Sequence, residues 1–104
     1  MKIIKEISEM IEEELEGAEH YVECALQYKA DNPSLADVFY EISTQEMRHV
    51  TMLHDEVTKL IKTHREKHGE PPAVMMAIWD WQHKRHIDST KEIKILQNQY
   101  REGT

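Results

Sequence analysis

The chain has 104 residues, 32% of them charged, which suffices for one small domain near the lower size limit of a self-sufficient core. Twenty Asp and Glu against thirteen Lys and Arg leave a net charge of −7. That excludes a nucleic-acid partner of the ordinary kind, which needs a Lys/Arg footprint on phosphates. The single cysteine, Cys24, excludes a disulfide framework and any paired-cysteine zinc or rubredoxin-type iron site, and no apolar run reaches the about 18 residues of a membrane span.

These features predict a single cytoplasmic domain over residues 1–104, and helix-favouring residues dominate its composition. Ile4, Ile7, Ile11, Leu15, Ala18, Val22, Ala25 and Leu26 recur at three and four, predicting a helix over 3–29. Asn32 can cap a second helix, with Pro33 at its first position. This helix, 33–66, carries the stripe Leu35, Phe39, Ile42, Val50, Leu53, Val57, Leu60 and Ile61. After Gly69–Pro72 a third helix is expected over 72–101, with a patchier stripe (Met75, Trp79, Ile93, Tyr100) interrupted by His86 and Gln97. The fold class is all-α: an antiparallel helical hairpin plus a third helix.

Two glutamates stand where apolar residues are expected. Phe39, Ile42, Leu53, Val57 and Leu60 cluster within roughly 40° of the direction of Glu46, at 100° per residue. His49 lies about 60° to one side, one turn along. A carboxylate in an apolar interior costs several kcal/mol unless it is paired, protonated or bound to a cation, and Glu-x-x-His on one turn aims a carboxylate and an imidazole at one point. On the first helix Glu14 is the inward candidate, about 60° from the stripe centre, whereas Glu16 falls near 140°. Gly17 and Ala18 beside it leave room for a metal or for close helix approach, and Tyr21 lies on the same flank, within reach of a ligand carboxylate. A di-metal bundle wants four carboxylates and two histidines from four helices, and this chain offers Glu14, Glu46 and His49 from two. A two-fold dimer would complete both the four-helix bundle and the ligand set.

Glu13-Glu14-Leu15-Glu16, Tyr21, Asn32-Pro33-Ser34-Leu35 and Glu46-Met47-Arg48-His49 together resemble the ferritin-like superfamily, and more narrowly the encapsulated ferritins, whose short chains form their ferroxidase centre across a subunit interface. The Glu14-to-Tyr21 spacing also resembles the first metal helix of rubrerythrins. The resemblance implies a ferritin-like four-helix bundle made by dimerisation, with two irons per dimer interface held by Glu14, Glu46 and His49, and oxidation of Fe(II) by dioxygen or peroxide. It also implies Glu13 and Glu16 as residues that help iron enter. The third helix, with Trp79, Trp81, His83 and His86, is longer than that of encapsulated ferritins, and Gln99–Thr104 shows no apolar cargo-loading peptide, which argues against an encapsulin shell. The paired cysteines of rubrerythrins proper are lacking.

Two other functions fit the same residues. One is a peroxide-consuming or manganese-containing di-metal oxidase, which uses the same ligands. The other is a metal-free helical interaction module presenting Trp79 and Trp81 to a partner. Of the remaining histidines, His54, His64 and His68 are expected to face solvent, His20 to point away from the stripe, and His83 and His86 to serve packing.

Overall fold

The computed structural model describes residues 1–103, so the expectation for Thr104 lies outside the described residues. They form three long helices: α1 (Lys2–Tyr28), α2 (Pro33–His68) and α3 (Ala73–Glu102). Each boundary falls within two residues of its expected place. The helices lie along one axis in a body of 55 × 18 × 18 Å, and the 36 residues of α2 alone, at about 1.5 Å each, span nearly that length. No helix among the described residues is long and apolar enough to cross a membrane.

The helix ends follow local chemistry. Asn32 Oδ1 accepts the Leu35 N–H at 3.2 Å, and Pro33 follows where a missing N–H costs nothing. At the other end of α2, Gly69 takes φ +81°, a left-handed conformation that side chains disfavour, and its N–H reaches the Arg65 carbonyl at 3.2 Å. Arg65, Lys67 and His68 place positive charge against the negative end of the helix dipole. Lys29, just past α1, donates to the carbonyls of Tyr100 and Gly103, so it closes the α3 C-terminus from across the bundle.

The α1 stripe is buried as expected, from Ile4 to Ala25. On α2 the buried line differs from the expected one: it runs through Ala36, Ser43, Val50, Val57 and Ile61. Phe39, Ile42, Leu53 and Leu60 are only half-buried, and Leu35 is exposed. The stripe is thus rotated, because Ala36 and Ser43 weigh little in a hydrophobic pattern yet are the small residues at which helices approach closely. Ser43 Oγ donates to the Ala18 carbonyl at 2.7 Å and accepts from Gln97 Nε2 at 3.0 Å, joining all three helices through one buried hydroxyl. His86 and Gln97, expected as interruptions of the α3 stripe, are themselves buried.

Polar and aromatic contacts do much of the docking of α3. Gln82 accepts from Ser8 Oγ at 2.6 Å, Tyr100 donates to Asp37, and the Tyr100 ring stacks on Tyr40 with centroids 4.7 Å apart. Trp79 packs against His54 and His83. These contacts place α3 over one flank of the α1–α2 hairpin and leave the other flank open.

Candidate metal centre

The open flank carries Met10, Glu14, Gly17 and Tyr21 from α1, at spacings of four, three and four, and Glu46, His49 and Leu53 from α2. Helical periodicity therefore brings the expected ligands to one groove. His49 Nδ1 stands 3.3 Å from Glu14 Oε2, with 52% of the His49 side chain and 31% of the Glu14 side chain exposed. Glu46 is half-buried, and its carboxylate lies over Gly17: a Cβ built on that glycine would collide with it, lying 2.8 Å from its Cδ. Only a residue without a side chain lets the carboxylate rest there.

Burial pushes the Glu46 carboxyl above the usual carboxylate range, and the Glu14 charge pushes it the same way, while His49 and His20 pull it down. Two acids and two imidazoles thus share one electrostatic neighbourhood. A cation there would relieve both the burial and the Glu14–Glu46 repulsion. Beside the His49–Glu14 pair is an open cavity of about 310 Å³, walled by Met10, Met52 and Leu53 and bordered by Glu13. Glu16 instead lines a separate recess between α1 and α3, with Glu12 and Glu19. The two expected iron-admitting residues therefore stand at different grooves.

Tyr21 packs its ring 5.9 Å from Phe39 and 5.6 Å from His20, and its hydroxyl has no hydrogen-bond partner among the described residues. Tyr40 bonds Arg101 and stacks on Tyr100, so it is committed elsewhere. Among the described residues no group of three or more His, Cys, Asp or Glu converges closely enough to hold a metal ion. One chain brings the donors to one face without closing them around a point.

Comparison with protein-family models, with curated proteins and with solved structures finds no match. What the groove can do therefore follows from its residues alone. Sequence reasoning underrated two histidines, His20 beside this groove and His54 on the α3 side of α2. His20 is exposed, as its place off the stripe predicts, yet its charge still pulls the Glu46 carboxyl down from the turn of α1 after Gly17. His54 was expected to face solvent, yet its ring lies 4.5 Å from that of His83. The buried line of α2 through Val50 and Val57 would have revealed it, since position 54 falls between them on the same face.

Proposed function

We propose that the chain is half of a ferritin-like di-iron protein, whose α1–α2 hairpin pairs with that of a second copy across a two-fold axis. The observation that carries this reading is the Glu46 carboxylate, half-buried over Gly17 beside Glu14 and His49, on a flank that α3 leaves uncovered. The apolar residues of that flank support the second copy: Met10 is 48% exposed, Tyr28 38%, Leu35 36% and Met52 60%. An isologous contact buries this strip and duplicates every donor, giving four carboxylates and two imidazoles. Each chain supplies half.

The donor types fit iron: two carboxylates and one neutral-capable imidazole per chain suit a divalent transition ion of intermediate hardness, and manganese is accepted by the same set. Glu14, Glu46 and His49 would hold the metal. Bound Fe(II) supplies the electrons that reduce dioxygen or peroxide, which makes the reaction a ferroxidation serving iron storage or detoxification. Gly17 gives the Glu46 carboxylate space beside the helix, and Met10, Met52 and Leu53 limit water at the groove once it is covered. A metal-free interaction module remains the competing function; Trp79 is buried against His54 and His83 and cannot serve it, so its surface is Val74, Ile78 and Trp81, standing 73%, 53% and 59% exposed on α3.

Anaerobic Fe(II) titration of metal-stripped protein, followed by oxygen exposure with absorbance recorded, separates the two. Saturation near one iron per chain, accompanied by dimerisation in sedimentation and lost in Glu46→Ala, is expected of the shared site. No saturable iron, or equal uptake by Glu46→Ala, leaves the interaction module standing.

A further inference from the structure

The outward face of α3 has a periodicity of its own. Val74, Ile78, Trp81, Arg85, Asp88, Glu92 and Ile95 recur at alternating steps of four and three, the spacing of a helix–helix seam, and all of them are exposed. This line lies about 120° around α3 from the buried line of Trp79, His86, Ile93 and Tyr100. Its first three residues are large and apolar, and a fourth, Ile95, stands 57% exposed near its far end.

The charges along the α1 edge of this seam are sorted by position. α1 runs parallel to α3, since Ser8 bonds Gln82 and Glu12 pairs with Arg85, and Lys2 and Lys5 therefore lie beside the first turns of α3. There they rim an open cavity of about 390 Å³ walled by Ile4, Val74, Met75 and Ile78. Toward the other end the edge is acidic: burial and the charges of Glu23 and Glu92 push the Glu19 carboxyl up. Lys84 and Lys91 line the opposite edge and are open to solvent. One end of the face is thus apolar and basic, and the other is acidic. Such a face opposes itself when two copies lie parallel and complements itself when one is turned end for end.

We infer that the outward face of α3 is an interface with a second copy of the chain, the two α3 helices packing antiparallel about a two-fold axis that passes between Arg85 and Asp88. In that register Arg85 of each copy meets Asp88 of the other, Ile78 meets Ile95, Val74 meets Gln99, and the Trp81 indole N–H meets the Glu92 carboxylate. Ile95 then covers the cavity mouth at Val74 and Ile78, and Lys2 and Lys5 come alongside Glu19 and Glu23 of the second copy. Arg85 is free for this role: 55% of its side chain is exposed, with Glu12 at 3.6 Å and the Trp81 ring centroid 4.9 Å from its guanidinium carbon. The charges also fix the register. A slide of one heptad in one direction sets Asp88 against Ile78, and in the other sets it against Glu92. The face lies on the flank away from Glu14, Glu46 and His49, and its pairing needs no iron, so this inference stands apart from the iron-site reading.

Sedimentation equilibrium of the metal-stripped full chain over a range of concentrations provides the test. Self-association is expected, weakened at least about tenfold by Arg85→Glu and by Asp88→Arg alone, because each reversal sets like charges together at both ends of the two-fold. The double variant Arg85→Glu/Asp88→Arg should recover most of the affinity, since it exchanges the charges without unpairing them. Circular dichroism shows that each variant is folded, and Fe(II) uptake by Arg85→Glu should equal that of the unaltered chain, so loss of this interface and loss of the iron site read separately. A chain that stays monomeric, a folded single reversal that associates as tightly as the unaltered chain, or a double variant as weak as the single ones would each overturn the inference.

Discussion

Glycine is a poor helix residue, and Gly17 sits in the middle of α1, so its presence there needs a reason. The reason is Glu46, whose carboxylate occupies the space a Cβ would fill. The obstructing atoms are the end of a flexible side chain, so a methyl at position 17 would swing the carboxylate away without disturbing the backbone. Gly17→Ala should therefore leave the fold intact and raise its stability by up to about 1 kcal/mol through helix propensity, while weakening Fe(II) binding markedly. Thermal melting together with the anaerobic titration checks this. A loss of stability with iron uptake unchanged would show that the cradle serves packing instead. That Glu14, Glu46 and His49 share one groove was legible from periodicity, whereas the pull of His20 on Glu46 was not, because its influence depends on how close the two helices run.

At the scale of elements, α2 has two working faces. Ala36, Ser43, Val50, Val57 and Ile61 form a line with heptad-like spacing against α1 and α3, and Phe39, Ile42, Glu46, His49 and Leu53 form the half-covered face beside it. A pattern that counts only large apolar residues averages the two and points between them, which is why Glu46 read as the centre of the core. The start of α2, in contrast, was fully legible, since a cap acts within four residues. Asn32→Ala removes the acceptor of the Leu35 N–H and should cost about 1 kcal/mol, read as a lower denaturation midpoint with an unchanged slope.

For the molecule as a whole, the attachment of α3 should make stability depend on pH. Burial holds the imidazoles of His83 and His86 below their ordinary value of 6.5, with His54 adding to the effect on both. Glu12 opposes it from α1, and Arg85 and His83 reinforce it on His86 along α3. Because the folded values are depressed, the unfolded chain takes up protons first: stability is fully present above about pH 6.5 and falls as the pH drops through that value toward the folded ones. Glu46 and Glu19, whose carboxyls burial raises, work the other way, since the folded chain protonates them first, so they return some stability at lower pH. Melting temperature should therefore drop between about pH 7.5 and 5.5, and His86→Leu should flatten that slope and add about 1 kcal/mol or more by removing unpartnered polar atoms. A slope unchanged in the variant would assign the dependence to other groups. At the alkaline end, burial and the bond to Asp37 push the Tyr100 hydroxyl up to about 12, so its contribution is lost as the pH rises above its ordinary value of 10.0.

The amino-acid sequence by itself determined three helices, their ends, the buried stripe of α1 and the sharing of one face by Glu14, Glu46 and His49, since all of these follow from interactions within a few residues along the chain. Only the tertiary structure decided which face of α2 is covered. That choice rests on the close approach allowed by Ala36, Ser43 and Gly17 and on the polar contacts of Gln97, Gln82 and Tyr100, which join residues 54 to 74 positions apart. It put α3 on one flank, with His83 and Trp79 packed against His54, and left Glu14, Glu46 and His49 on the other, because a single helix cannot cover both sides of a two-helix hairpin.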